Sequence, residues 1–170
     1  IVGKLVLKVS NKTGMISYYN SYVGLSPFER FELGGDGLSN QYVGIVGKDI
    51  ISLRGYTVEQ VRADNKVTSD GAAVFTKISM ELRYPISLNP SSSIYVLGFV
   101  DGGNAWNKIK DFRPFDLKRS AGLGLRVFLP MFGILGFDYG FGFDKSDLIQ
   151  SNAKWTQFGK FSFVLGFEPD

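Results

Sequence analysis

Ser120, Gly122, Gly124 and Arg126 alternate with Ala121, Leu123, Leu125 and Val127. The next stretch repeats the pattern, with Gly136, Asp138, Gly140 and Gly142 set against Phe137, Tyr139, Phe141 and Phe143. A period of two puts each set on its own face of a β-strand. Ser79, Glu81 and Arg83 alternate in the same way with Met80, Leu82 and Tyr84, and Phe161, Phe163, Leu165 and Phe167 with Lys160, Ser162, Val164 and Gly166. Leu5, Leu7 and Val9 against Lys4, Lys8 and Ser10 open the chain on a similar pattern. One face thus carries Leu, Val, Phe and Tyr, and the other Gly, Ser, Asp, Arg and Lys. Such strands need an apolar medium on one side. A second sheet supplies it in a soluble sandwich, and lipid supplies it in a membrane barrel.

The spacing between strands favours lipid. From Gly71 onward the connections alternate: short at 89–92, long at 106–118, short at 130–133, long at 144–157. Short turns at one end and long loops at the other are the layout of a transmembrane barrel. The chain holds 21 glycines in 170 residues, about 12% against a usual ~7%. Glycines on an inner face leave room for an inserted loop or for tight curvature. No run of apolar residues is long enough for a transmembrane helix. With no cysteine and no histidine, disulfides, thiolate chemistry and a Ser-His-Asp site are excluded within this chain. The net charge of +3 is scattered and does not argue for nucleic acid.

The expected fold is all-β: a partial transmembrane antiparallel barrel with strands near 2–19, 76–88, 93–105, 119–129, 134–144 and 158–167. A long lumenal or extracellular loop over 20–75 has little regular structure, apart from a short accessory strand near Gln41 to Val46. Its aromatics Tyr22, Phe28, Phe31 and Tyr42 are too many for a free linker, so it is expected to fold back onto something. Six strands are too few to close, because outer-membrane barrels begin at about eight. The chain is therefore expected to be part of a larger barrel, or to assemble with copies of itself. Ile1 opens directly on strand-like sequence rather than on a signal peptide, as if the chain starts mid-protein.

Four pieces together resemble one family. They are Phe28-Glu29-Arg30-Phe31 with Leu33-Gly34-Gly35, Leu53-Arg54-Gly55-Tyr56, Glu81-Leu82-Arg83-Tyr84-Pro85, and Val100-Asp101-Gly102-Gly103-Asn104-Ala105-Trp106. In this order and spacing they resemble the Omp85 superfamily of outer-membrane assembly and translocation barrels. Within it they look most like the C-terminal part of BamA-type barrels of a Bacteroidota-like lineage. The resemblance implies a barrel of about 16 strands, of which residues 1–170 supply about the last six. It also implies periplasmic POTRA domains ahead of it in the full protein, through which other assembly subunits bind. Leu53, Arg54, Gly55 and Tyr56 then match the family's loop-tip motif, with the loop folded into the lumen. Glu81 and Asp101 are the implied acidic partners of Arg54, and Gly102, Gly103 and Trp106 belong to the strand signature. A planar guanidinium can fork to two carboxylates, and Gly55 lets the tip pass close to the wall. Residues 36–52 separate the Gly-Gly pair from the motif more widely than is usual in the family.

Phe161, Phe163, Leu165 and Phe167 fit a C-terminal strand signal. In BamA-like proteins that strand closes a weak seam, where a client strand can add by β-augmentation. The implied function is non-enzymatic: folding and inserting unfolded β-barrel clients into the outer membrane, without cofactor or nucleotide. A secretion or autotransporter-assembly barrel of the same superfamily, or a barrel joined to a lipase-like domain, is the alternative. A surface enzyme or a soluble β-sandwich binding module are alternatives of other classes. Asp36, Asp64, Asp70, Asp138, Asp144 and Asp147 lack the spacing of a calcium loop and read as solvated loop acids. Lys108, Lys110, Arg113, Lys118 and Arg119 around the 107–119 loop read as an ordinary solvated loop or a contact for lipid phosphates. Trp106 and Trp155 are expected in an interfacial girdle.

Overall fold

The computed structural model describes residues 4–20, 22, 24–26, 29–35, 47–68, 70–89, 92–130, 133–151 and 153–166. Six long strands form one antiparallel sheet: β1 (Val6–Met15), β4 (Val74–Asn89), β5 (Ser92–Trp106), β6 (Lys118–Leu129), β7 (Gly133–Gly142) and β8 (Gly159–Gly166). They lie in the order β1-β4-β5-β6-β7-β8, so every neighbour along the chain after β4 is a hairpin partner. The sheet is open, with β1 and β8 at its edges among the described residues. This is a partial antiparallel barrel. No helix is long and apolar enough to cross a membrane. β4 has 16 residues and β5 has 15, beyond the ~9–11 that a tilted spanning strand needs.

The two faces separate as the alternation requires. Met80, Leu82, Tyr84, Val96, Val100, Leu123, Tyr139 and Phe161 are exposed on the outer face. Ser79, Glu81, Leu97, Phe99, Asp101, Ser120, Arg126, Asp138, Ser162 and Val164 are buried on the inner one. Pro85, which has no N–H to give to a ladder, sits where the β4–β5 register shifts between Pro85 and Ser87.

The inner face is covered by the 16–73 connection, which is more ordered than its sequence suggests. β2 (Phe31–Leu33) and β3 (Asp49–Ile51) pair in parallel, and α1 spans Val58–Asn65. The helix starts on a capping box, Thr57 with Gln60, and ends at Lys66 in the left-handed conformation. Its Val58 and Val61 are buried. The main hydrophobic core is this loop against the wall: Leu33, Ile51, Leu53, Tyr56 and Val61 cluster with Phe75 and Ala105. Phe31 stacks on Phe75 at 4.6 Å between ring centroids. Arg30 ties the loop's entry to its exit, donating to the carbonyls of Ser26 (2.9 Å) and Gly71 (3.3 Å).

Several expectations need correction or fall elsewhere. Within the 20–75 segment, burial against the wall supports two short strands and a helix that local propensity alone does not announce. Trp106 is not in an interfacial girdle: it is 3% exposed, packed with Ala73, Val74 and Phe112. Trp155 is exposed. Asp138 is not a loop acid but an inner-face residue of β7, 1% exposed. Lys118 is buried and pairs with Asp64 on α1, and Arg119 pairs with Asp144 at 2.7 Å. The basic loop therefore keeps Lys108, Lys110 and Arg113 at its surface. Phe28, the stretch Gln41 to Val46 and Phe167 lie outside the described residues.

Candidate functional site: a loop tip seated in the inner wall

The site is built from transverse rows of the sheet. Register aligns Ser79, Asp101, Ser120 and Gly142 in one row. The adjacent inner-face row runs Glu81, Phe99, Gly122, Gly140 and Lys160. Phe99 lies along its row rather than standing off the sheet. A Cβ added to Gly122 would fall 2.6 Å from the Phe99 ring, and one added to Gly140 would fall 3.2 Å away. The two glycines are therefore the floor on which the ring rests.

Arg54 is stacked on that ring, its guanidinium carbon 3.7 Å from the centroid. Its Nε donates to Asp101 Oδ2 and its Nη2 to Asp101 Oδ1, both at 2.7 Å. Nη2 also donates to Ser79 Oγ at 2.9 Å, and Nη1 pairs with Glu81 Oε1 at 2.7 Å. Ser79 Oγ in turn donates to Asp101 Oδ1 at 2.6 Å. Glu81 turns its other oxygen to Arg83, which donates from Nε (2.9 Å) and Nη2 (2.6 Å). Burial opposes the charge of Arg54, but its hydrogen bond to Asp101 and the attraction of Asp101 and Glu81 outweigh that, so its pKa lies above the usual arginine value. The guanidinium is charged at every accessible pH.

The rest of the tip fits glycine seats in the same wall. Leu53 Cδ1 lies 3.2 Å from the position of a Cβ on Gly103. Gly55 adopts φ +88°, and a Cβ there would meet the backbone N of Gly142 at 3.1 Å. A side chain at 55 is thus excluded twice, by conformation and by space. The Tyr56 ring lies over Gly142 and its hydroxyl joins two strand ends. It donates to the Arg119 carbonyl at 2.8 Å and accepts the Asp144 N–H at 2.8 Å. Burial pushes the Tyr56 hydroxyl well above its ordinary pKa, so it remains a donor. Lys160 Nζ of β8 donates to the Tyr56 carbonyl at 3.3 Å.

Asp144, just past β7, holds Arg119 through both oxygens, accepting from Nη2 at 2.7 Å and Nε at 3.1 Å. That hydrogen bond keeps the Asp144 carboxyl below its usual range. Above the tip, Lys77 Nζ donates to Ser52 Oγ at 3.2 Å.

The structure brings Leu53, Arg54, Gly55, Tyr56, Glu81, Asp101 and Gly103 into one constellation. Gly102 contacts Leu117 on the other side of β5, and Trp106 packs above it. Phe161, Phe163 and Leu165 face outward on β8, away from the tip. Sequence reasoning missed a second buried ion pair. Arg126 Nη1 and Nη2 fork onto Asp138 Oδ1 (2.7 Å) and Oδ2 (2.8 Å), and both side chains are 1% exposed. The alternation already put both residues on the inner face, and that was the available signal. No cluster of metal-ligating residues exists among the described residues.

An open antiparallel sheet with an apolar outer face, a polar, glycine-seated inner face and a loop ion-paired into it defines a β-barrel membrane protein with an inserted lumenal loop. The Omp85 superfamily domain matches residues 2–168, and the chain belongs to that superfamily. No curated protein matches the chain.

Proposed function

We propose that this chain is the C-terminal wall and lumenal loop of a BamA-type assembly barrel in the bacterial outer membrane. It works without cofactor or chemistry of its own, helping unfolded β-barrel clients fold and insert. The observation that carries the reading is the seating of the Arg54 tip on Asp101, Ser79 and Glu81. A loop locked to the wall by a desolvated fork stiffens the β4–β7 region. The last strand, β8, lies beyond it in the sheet order. A stiff wall beside a weakly closed seam suits strand templating, because an incoming strand can satisfy its backbone groups only on a partner that holds still. In this reading the barrel has about 16 strands, Phe161, Phe163, Leu165 and Phe167 belong to the seam strand, and POTRA domains recruit further subunits.

The test reconstitutes the complete protein into lipid vesicles and presents either a urea-unfolded barrel client or a soluble passenger. Acceleration of client folding, read by heat-modifiable mobility and reduced by Arg54→Ala, is the expected result. Protease protection of the passenger inside the vesicles, without client folding, would replace assembly by translocation.

A further inference from the structure

The 143–158 connection carries a feature that the loop lock does not use. On its inward side it is fastened by polar contacts. Gln60 Nε2 of α1 donates to Asp147 Oδ2 at 3.3 Å, Ser146 contacts Asp64, and Lys145 Nζ donates to the Phe158 carbonyl at 2.9 Å. Its apolar side chains are thereby held toward the outer face of β7. There Leu148, Ile149, Trp155 and Phe158 meet Phe141 and Phe143 around a cavity of about 580 Å³. Among the described residues the lining carries no charged side chain. The cup is half open, and water gains little against a wall that offers it few polar partners. The cavity is also continuous with the lipid-facing belt, since Phe141 packs edge-on against Tyr139 at 5.0 Å and Tyr139 is exposed on that belt. It lies at the long-loop end of the sheet, the level of the outer leaflet in the membrane reading.

We propose that this cup is a seat for one acyl chain of an outer-leaflet lipid, distinct from the lipid that merely surrounds the barrel. The occupant follows from continuity with the belt, from the purely apolar lining and from the flexible shape that a half-enclosed cup demands. The inference rests on the reading of the outer face as lipid-facing, and the experiment separates the two.

The complete protein is reconstituted in vesicles of phosphatidylethanolamine and phosphatidylglycerol doped with a phosphatidylglycerol bearing a diazirine at the end of one acyl chain. After irradiation, adducts are mapped by peptide mass spectrometry. Severalfold higher labelling of the 141–158 peptides than of belt peptides carrying Leu82 or Leu123 is expected. Ala153→Trp, which fills the cup, should abolish the excess and leave belt labelling intact. Ile149→Asn, at the exposed rim, should lower it, with folding of both variants scored by heat-modifiable mobility. Equal labelling of cup and belt, or labelling of the belt alone, overturns the seat while leaving the membrane reading in place. Labelling of neither overturns both.

Discussion

Replacing Arg54 by alanine removes the charged group that forks onto Asp101. In the intact protein Asp101 is 1% exposed and receives two hydrogen bonds from Arg54 and one from Ser79. Without Arg54 a desolvated carboxylate keeps one neutral donor. Breaking a buried pair from one side costs about 3–5 kcal/mol. Two charge-assisted bonds at about 1.5–3 kcal/mol each give an overlapping range of about 3–6 kcal/mol. Glu81 differs, because Arg83 already holds its second oxygen through two donors. Loss of charge at Glu81 should therefore cost only about 1–2 kcal/mol. The expected order of destabilisation is Arg54→Ala, then Asp101→Asn, then Glu81→Gln. It is read by urea unfolding of the complete protein in vesicles, with heat-modifiable mobility as the signal. A double-mutant cycle should couple Arg54 to Asp101 by about 2–3 kcal/mol. An Arg54→Ala loss below about 1 kcal/mol, the level of an exposed pair, or a larger effect at Glu81 than at Asp101, would refute the reasoning.

Gly55→Ala should unseat the tip at a cost of about 1–3 kcal/mol, because φ is +88° and the wall is 3.1 Å away; limited proteolysis of the 16–73 loop checks it. Tyr56→Phe keeps the ring but leaves the Asp144 N–H without its partner and the Arg119 carbonyl with the Phe143 N–H alone, for a loss of about 1–2 kcal/mol in the same unfolding assay. Asp138→Asn should destabilise by about 3–5 kcal/mol without releasing the loop, since the Arg126–Asp138 fork is separate from the Arg54 contacts. Asp144 is held below its unfolded pKa by Arg119. Its contribution is therefore present above the unfolded value of about 3.9 and is lost as pH falls through the lower folded value. Thermal scans should show part of the acid destabilisation below about pH 4 missing in Asp144→Asn.

The faces of the sheet were legible because a period of two leaves one answer once one side is apolar. The pairing of Arg54 with Glu81 and Asp101 came from a resemblance and from the inward side of β4 and β5, not from spacing alone. What stayed hidden depended on distant partners. The Thr57 and Gln60 capping box was present in the sequence, yet eight residues with two buried valines make a helix only when a wall is there to receive them. β2 and β3 pair across residues 34–48, and no local signal fixes a parallel register. Trp106 looked interfacial because tryptophans at strand ends usually are, but Leu25, Phe112 and Leu117 fold over it. Asp138 was grouped with loop acids, although its own strand alternation placed it opposite Tyr139 and beside Arg126.

The central claim is that the Leu53-Arg54-Gly55-Tyr56 tip sits inside the wall, and one cross-link tests it directly. Residues 1–170 hold no cysteine, so Leu53→Cys with Gly103→Cys adds the one pair within them, at positions whose side chains would meet across the inner face. In intact cells expressing the complete protein, the account predicts a disulfide that forms without added oxidant and shifts mobility on a non-reducing gel. It also predicts that either single cysteine resists a membrane-impermeant maleimide. Two free cysteines that both react with the maleimide would place the tip outside the lumen and contradict it.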